Sequence, residues 1–558
     1  PRAGRAMLFH SPEFIFGFIP LSLLGFFLLA RHSHALALGW LTTASLVFYA
    51  WWNPVWLPLL LASIGLNFCA GRAIGERVRL EGADTQRPAG RARASSRTLL
   101  IGSIAANIAL LVYFKYAAFA VNSVALLASA PVHLDAGELP LGISFFTFTQ
   151  IAFLVDVQQR KAADFDPLRY GLFVTYFPHL IAGPILHHKE MMPQFAKADI
   201  FKFSADRLAD GSVMFILGLF KKSVLADAFG GYASPAFAAA ATHDISFFEG
   251  WGAALSYTMQ IYFDFSGYCD MAIGLALMIG VQLPMNFHSP YKARNIADFW
   301  RRWHMTLSRF LRDYLYIPLG GNRRGLARQQ GNLMLTMLLG GLWHGAGWTF
   351  VIWGGLHGLY LMVFHGWQRA VNALGPGLSG AAVQRVTAPL AWLLTFFAVV
   401  IAWVFFRAPD VPSALSMLRG MAGLNGALLP DQLIKLVPAL ASVADGLGKV
   451  PYLANGTVMG CVEMVLMLAL GLTLVLAAPT VPELRTRWLA EPAPLAMTRG
   501  KTPKMNASEV IKIGRKRRCT ASRTALTRSL PWACKSLANS MISTAFFADK
   551  PMMVIKPT

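Results

Sequence analysis

Long runs of apolar residues are the feature that most constrains the fold of this 558-residue chain. A helix needs roughly 20 apolar residues to cross a bilayer. Only 14% of the residues are charged, whereas soluble domains carry about 25%. The composition therefore predicts an all-α, polytopic membrane protein with roughly eleven to thirteen membrane helices, including re-entrant pieces. Six segments are apolar enough to be predicted as clear spans: 14–30, 35–52, 56–70, 99–113, 390–406 and 459–478.

Further membrane segments are less uniform, because they mix apolar residues with glycine and polar groups. The two longest, 251–281 and 333–364, have room for two passes each or for re-entrant pieces. The other three are 141–157, 171–185 and 214–229. The range in the predicted number of helices comes from the glycine-rich stretches.

The formal net charge of +22 would suggest nucleic-acid binding in a soluble protein, but its distribution argues otherwise. Residues 485–558 hold fifteen Lys and Arg against three acidic residues, and the remaining excess lies in loops of the apolar body. Loops 71–97 and 285–330 are basic, whereas 130–140 and 230–250 lack Lys and Arg. The positive-inside rule places the two basic loops in the cytoplasm. No nucleic-acid partner is expected.

The sequence divides into three expected parts. Residues 1–6 precede the first methionine, Met7, and are interpreted as a non-native leader. Residues 7–480 form the predicted membrane domain. Residues 481–558 form a basic tail, interpreted either as a disordered segment near anionic lipid or as a stretch out of frame with the body of the gene.

Two histidines lie where a polar side chain is costly. His344 is flanked by glycines in an apolar stretch, and a histidine at membrane depth is by default a functional candidate. His304 lies in the most basic loop of the membrane domain, at the predicted membrane edge. Histidine is the side chain whose ordinary pKa suits general-base catalysis near neutral pH. The structural alternatives are a core histidine for His344 and an interfacial anchor for His304.

Residues 286–358 are the predicted catalytic segment. A helix over 298–315, with Asp298 as its N-cap, would place Trp300 and His304 on one face and arginines along the other side. Those arginines would lie near enough to the membrane surface to meet an anionic cofactor, although simple positive-inside anchoring is the alternative. The candidate cofactor contacts are Arg301, Arg302, Trp303, Arg309, Arg312 and Trp343.

The other histidines in this part of the chain have structural interpretations. His179, with His187 and His188, could form a metal cluster, but no cysteine or carboxylate spacing supports one. No metal is therefore expected. His288 and His357 are expected to be structural.

Two carboxylates and the cysteines complete the polar inventory of the apolar segments. Asp264 and Asp270 are expected to support a histidine or neutralise an arginine rather than to catalyse. The five cysteines have no metal-ligand spacing and are interpreted as small core residues.

Two neighbouring motifs resemble the membrane-bound O-acyltransferase (MBOAT) superfamily, and within it the bacterial alginate O-acetyltransferase AlgI group. They are NFHSPYKARNIADFWRRWHMTLSRFLRDYLYIPLGGNR at 286–323 and the following GLWHGAGWTFVIWGGLHG. YFDFSGYCDMAIG and YFPHLIAGPI resemble the same group, and the similarity extends over roughly 7–478. The resemblance implies a helical fold around a central funnel with a histidine at its neck. It implies that His344 is the catalytic histidine and His304 its upstream polar partner.

The resemblance also implies a reaction. The expected donor is a cytoplasmic acyl-CoA or acyl-carrier thioester, with acetyl-CoA favoured and no permanently bound cofactor. A donor group such as His304 could neutralise the oxyanion formed as His344 removes a hydroxyl proton. The expected acceptor is an exopolysaccharide, alginate above all, reached through periplasmic partner proteins of a protein embedded in the bilayer of the bacterial inner membrane.

Two kinds of alternative stay open at this point. Members of the same family could acetylate peptidoglycan or cellulose, or transfer D-alanine to teichoic acid. A transporter whose histidines relay protons is the alternative from a different class. Transporters often contain internal repeats, and none is visible in this sequence.

Overall fold

A computed structural model of the chain describes residues 7–83, 89–181, 183–374, 381–429 and, with short gaps, 434–489. Most of these residues are helical, which confirms the predicted all-α class. Within them, a parallel pair of two-residue strands, β1 (Leu428–Leu429) and β2 (Gly446–Leu447), is too short to form a layer. The predicted leader 1–6 and the tail from residue 490 lie outside the described residues.

The helices before residue 240 are joined by short connections and by π-helical turns. Such turns are Glu13–Phe18 before α1, Val112–Tyr116 between α4 and α5, and Lys221–Ala226 between α10 and α11. The helices are α1 (Ile19–Ala30), α2 (His34–Trp52), α3 (Leu57–Ala83), α4 (Ala89–Leu111), α5 (Ala117–Leu127), α6 (Ile143–Gln158), α7 (Pro167–Thr175), α8 (Phe177–Leu180), α9 (His188–Phe195), α10 (Ala205–Phe220) and α11 (Asp227–Ala239).

The helices after residue 240 include the longest one of the described chain. The described helices here are α12 (Phe247–Ile279), α13 (Ile296–Arg302), α14 (Met305–Leu311), α15 (Leu326–His344), α16 (Trp348–Ala373), α17 (Ala381–Arg407), α18 (Val411–Met421), α19 (Val458–Ala477) and α20 (Val481–Leu489). Up to Ile279, the apolar segment 251–281 therefore lies in one continuous helix, which has 33 residues in all. By contrast, segment 333–364 is divided between α15 and α16.

Within the described residues, six helical stretches are long and apolar enough to cross a bilayer, and they overlap all six segments that the sequence predicted as clear spans. They are Glu13–Ala30, His34–Trp52, Pro54–Glu81, Ser95–Leu127, Arg385–Arg407 and Val458–Ala477. The chain is therefore a multi-pass membrane protein. The larger predicted number of membrane helices, roughly eleven to thirteen, and the central funnel stay predictions.

Helix α12 is the common wall of two buried apolar clusters. Its residues 271–279 pack with the N-terminal helices, and its residues 253–269 pack with α11, α16 and α17. Helix α10 crosses α12 closely: a Cβ at Gly218 would meet the carbonyl of Gly267, and one at Gly267 would meet that of Gly218. Small residues permit this approach, which drives helix association in membranes where lipid is as apolar as leucine.

Two carboxylates of α12, Asp264 and Asp270, pair with lysines of the Lys221–Ala226 turn. Lys221 lies 2.7 Å from Asp270, and Lys222 lies 2.9 Å from Asp264. These pairs agree with the structural role expected for both carboxylates, although their partners are neither arginine nor histidine. A carboxylate at membrane depth is tolerated when it is paired in this way.

Helical structure continues past residue 480, the predicted end of the membrane domain. The backbone N–H of Thr480 donates to the Glu483 carboxylate at 2.7 Å and holds the pKa of that carboxyl below its ordinary value. Arg485 lies 3.1 Å from Asp210 of α10. Helix α20 is thus fixed to the membrane domain by ion pairing.

The topology predicted from loop charge can be tested by cysteine labelling. Arg323 and Asp135 are both exposed in loops of opposite charge character. In sealed right-side-out vesicles and a background in which all five native cysteines are replaced by serine, a membrane-impermeant maleimide should label Asp135→Cys but not Arg323→Cys. Permeabilisation should make both reactive. Labelling of position 323 in sealed vesicles would show that the orientation is reversed.

Candidate active site

The candidate site is built around the junction of α15 and α16. Helix α15 ends at His344, and the link to α16 is extended, with φ near −162° at Gly345 and −165° at Gly347. The two helices approach closely because a Cβ at Gly341 would meet the carbonyl of Phe350. This glycine contact lets the ring of His344 face the first turns of α16.

Aromatic side chains surround His344. Its ring centroid lies 4.9 Å from that of Trp343, 5.1 Å from Trp353 and 5.1 Å from Phe406. The side chain is partly exposed, and its ring nitrogens make no hydrogen bond with the described residues. Both nitrogens are therefore available to a bound group.

His304 lies at a break in the predicted helix 298–315, so the expectation of one continuous helix is wrong. Helix α13 ends at Arg302, and α14 begins after His304, whose backbone is left-handed with φ +42° and ψ +54°. The N-cap of α13 is Asn295, which accepts from the N–H of Asp298 at 2.8 Å, so Asp298 is not the cap. The reason for the break is tertiary, because the chain turns here to meet Asn286.

Asn286 holds His304 by a buried hydrogen bond. The Nδ1 of His304 is 3.1 Å from the Oδ1 of Asn286, which also accepts from the N–H and Oγ1 of Thr306 at 3.2 and 2.9 Å. Since the Thr306 N–H can only donate, the oxygen of the amide faces His304, and Nδ1 carries the hydrogen. In the neutral ring, the lone pair is then on Nε2, which has no partner among the described residues.

The structure brings the two candidate histidines close together. Their ring centroids are 6.4 Å apart, and Trp343 lies beside both of them. Among the described residues, no hydrogen bond joins the two rings. A small group, such as a hydroxyl or a carbonyl, could therefore contact both.

Several buried ring nitrogens in this region lack partners among the described residues. His304 Nε2 can accept, whereas the indole N–H groups of Trp343 and Trp353 can only donate. His357 Nδ1 accepts from Trp300 Nε1 at 3.3 Å, so the unpartnered Nε2 of His357 is also a donor. An unpaired buried polar group costs roughly 1–3 kcal/mol, which a polar substrate would recover.

The arginines predicted to contact a cofactor differ in their availability. Arg309 makes a two-pronged ion pair with Glu190 at 2.6 and 2.9 Å, and Arg302 pairs with Asp298 at 3.0 Å. Arg312 is exposed and bonds its neighbour Asp313. Arg301 is exposed. Of the four arginines predicted to contact a cofactor, Arg301 and Arg312 are therefore the two that are exposed.

The two predicted tryptophans have different surroundings. Trp303 is buried among aromatic rings, 4.9 Å from Trp403 and 5.0 Å from Phe287. Trp343 packs against Phe148 and contacts both histidines. Only Trp343 of this pair therefore adjoins the histidine site.

The remaining histidines have separate partners. His179 Nε2 lies 2.9 Å from the carbonyl of Phe173, and His187 Nδ1 lies 3.0 Å from the hydroxyl of Tyr314. In the described part of the chain, no three His, Cys, Asp or Glu side chains form a group that could hold a metal ion.

Two residues that donate hydrogen bonds to the C-terminal end of α15 were not predicted from the sequence. Lys115 Nζ donates to the carbonyl of Trp343 and to Ser144 Oγ, the latter at 3.1 Å. The hydroxyl of Tyr116 donates to the carbonyl of Leu342 at 2.7 Å. The sequence feature that could have identified Lys115 is its charge, because it is the sole Asp, Glu, Lys or Arg between Arg97 and Asp135.

The fold and the candidate site together define a multi-pass helical membrane protein in which two histidines lie close to each other among unpaired buried donors. The chain belongs to the membrane-bound O-acyltransferase family, whose model matches residues 98–404. The protein is therefore an acyltransferase.

The relatives act on different acceptors. The chain is 44% identical to a peptidoglycan O-acetyltransferase of Helicobacter pylori over 452 residues, which is 76% of this chain and 81% of the relative. It is 41% identical to the probable alginate O-acetylase AlgI of Pseudomonas aeruginosa over 421 residues, 74% of this chain and 75% of the relative. A teichoic acid D-alanyltransferase of Streptococcus thermophilus is 26% identical, over 48% of this chain and 68% of its own length.

Proposed function

We propose that this protein transfers acetyl groups from a cytoplasmic thioester, with acetyl-CoA as the donor, to hydroxyl groups of a polysaccharide outside the bacterial inner membrane. The observation that carries the proposal is the pair of histidines, 6.4 Å apart, in a chain of the O-acyltransferase family. Histidine pairs of this kind suit removal of a hydroxyl proton during ester formation.

His344 is the proposed general base. A hydroxyl oxygen on the acceptor side attacks the thioester carbonyl carbon, and His344 takes the hydroxyl proton as the new C–O bond forms. The C–S bond then breaks, and the proton passes from His344 to the leaving sulfur. An ester and a free thiol result. The free ring nitrogens of His344 support this role, because a base needs a nitrogen within reach of the substrate.

His304 is the proposed assistant, in a role that the hydrogen bonds modify. Donation from Nε2 to an oxyanion, as expected from the family, would need a doubly protonated ring, because Nδ1 already donates to Asn286. In the neutral ring, Nε2 accepts. We propose that it accepts the N–H of His344 through one bridging water, which fixes the His344 tautomer and stabilises the imidazolium formed during transfer.

The donor side of the site is proposed from the exposed arginines. Arg301 and Arg312 lie in the predicted cytoplasmic loop and face outward, where they could contact phosphates of a CoA or carrier thioester. Arg309 is engaged by Glu190 and supports the loop instead. Periplasmic partner proteins are proposed to complete transfer to the polymer.

Two acceptors are supported by different relatives. Alginate is the acceptor proposed from the motifs of the catalytic segment and from the 41% identity to AlgI. Peptidoglycan is the second candidate, because the identity to a peptidoglycan O-acetyltransferase is 44% over a similar length.

The proposed function can be tested in proteoliposomes that contain the purified protein. Acetyl-CoA labelled in the acetyl group is added on the cytoplasmic side, with alginate or peptidoglycan fragments and the partner acetyltransferases on the other side. Label bound covalently to polymer is expected. Label that crosses as free acetate, without ester formation, would favour the transporter alternative. Label from D-alanyl carrier but not from acetyl-CoA would replace the proposed donor.

A further inference from the structure

We infer that Lys115 is a positioning residue for His344: its ammonium group holds the backbone of α15 at the turn that carries the catalytic ring. The inference rests on the proposed role of His344. It assigns a function to a charged side chain that lies inside a candidate membrane span, Ser95–Leu127.

The contact is directed at helix-end carbonyls that accept no other hydrogen bond from the described residues. The last four carbonyls of a helix lack intrahelical donors. The carbonyl of Trp343 accepts from Lys115 Nζ, and that of Leu342 accepts from Tyr116 at 2.7 Å. These carbonyls belong to the two residues directly before His344, so their positions determine where its Cα lies.

The link after His344 cannot hold the ring by itself. Gly345 and Gly347 are extended, and the N–H of Gly345 is 3.4 Å from the carbonyl of Gly341, which is a long final helical bond. Glycine also leaves the backbone free to adopt many conformations. The hydrogen bonds from Lys115 and Tyr116 replace the restraint that a regular helix end would supply.

Lys115 itself is placed by a local irregularity. It lies in the π-helical turn Val112–Tyr116, and its described partners, the Trp343 carbonyl and Ser144 Oγ, are both uncharged. A π-turn inside an α-helix is frequently found at functional sites. A charged lysine at membrane depth with only neutral oxygens as partners costs free energy, so packing alone is a poor explanation for a lysine at this position.

The test compares steady-state acetylation by purified variants in proteoliposomes with labelled acetyl-CoA. Lys115→Met should lower kcat about 100-fold, because displacement of a catalytic group by ~1 Å has an effect of that order. The KM for acetyl-CoA should stay within about twofold of the wild-type value. Lys115→Arg, which keeps a charged donor, should recover at least about tenfold of the lost rate.

A matched control separates positioning from stability. Lys222 lies in another π-helical turn and pairs with Asp227 and Asp264 at 2.7 and 2.9 Å. Lys222→Met should lower the thermal midpoint in detergent but leave kcat per folded molecule within about twofold.

Milder variants keep the inference testable if Lys115→Met does not fold. Tyr116→Phe removes the bond to Leu342, and Ser144→Ala removes one partner of Lys115 Nζ. Each should lower kcat about three- to tenfold at unchanged KM, in line with loss of one hydrogen bond of ~1 kcal/mol.

Three results would overturn the inference. They are an unchanged kcat in Lys115→Met, a change confined to KM, and failure of Lys115→Arg to restore any rate. Absence of acetyl transfer by the wild-type protein would instead contradict the proposed function.

Discussion

Replacement of His344 by alanine should abolish nearly all acetyl transfer while the protein remains folded. General acid–base catalysis contributes about 10²–10⁴-fold to a rate, so a loss of roughly 10³-fold in kcat is expected. The ring is partly exposed and makes no hydrogen bond with the described residues, so its removal breaks no polar network. The measurement is the rate of label transfer from acetyl-CoA to polymer, with size-exclusion and thermal profiles to confirm folding.

The control for this experiment is a histidine on the neighbouring helix. His365, near the C-terminal end of α16, is also partly exposed and contacts the ring of Phe364 at 5.5 Å. His365→Ala should keep its rate within about twofold, since surface changes away from a site are usually mild. Equal rates in His344→Ala and the wild type would exclude His344 as the base.

Replacement of His304 should have the second largest effect. Asparagine is the appropriate substitute, because it adopts the left-handed backbone found at this position at lower cost than most residues. Its amide can still donate to Asn286, but it cannot supply a basic nitrogen at the position of Nε2. We expect kcat per folded molecule to fall about 10²-fold. The smaller side chain at this buried position should also lower the thermal midpoint, so the rate is normalised to folded protein.

The double variant tests whether the two histidines act together. Residues that act as one unit have strongly non-additive effects. His304→Asn combined with His344→Ala should therefore be no slower than His344→Ala alone. Fully multiplicative losses would show that His304 acts independently of His344, and a rate above half of wild type in His304→Asn would remove it from the mechanism.

The sequence predicted the membrane spans well because the physics of spanning is local. A segment such as 390–406 shows its role through length and hydropathy alone, and the corresponding span, Arg385–Arg407, is present. The sequence also selected His304 and His344 as a candidate pair from their positions, and the structure places their ring centroids 6.4 Å apart. The roles of the two histidines came from the family resemblance and stay predictions. Hydropathy alone placed the two histidines in separate segments and gave no information on the distance between their rings.

The break at His304 could not be predicted from helical periodicity. Trp300, His304 and Ser308 have the spacing of one helical face, which favoured a continuous helix. The bonds that break it come from Asn286, 18 residues earlier in the chain. Tertiary contacts override local propensity at such positions.

The role of Lys115 was hidden for a related reason. Its partner Trp343 is 228 residues away in sequence. A lone charge in an apolar segment was visible, but nothing local indicated which backbone it would meet. Long-range contacts of this kind require the folded structure.

The length of α12 has a consequence for how this protein sits in lipid. Its 33 residues span about 50 Å at 1.5 Å per residue, while the hydrocarbon core of a bilayer is about 30 Å thick. If α12 spans the bilayer, as the sequence predicts for segment 251–281, a helix of this length either tilts or projects into water, and its tilt follows the thickness of the bilayer. Both apolar clusters pack on α12, so a change in its tilt should move the two clusters together. The acyl-chain length of the lipid then becomes a variable that acts on the whole enzyme.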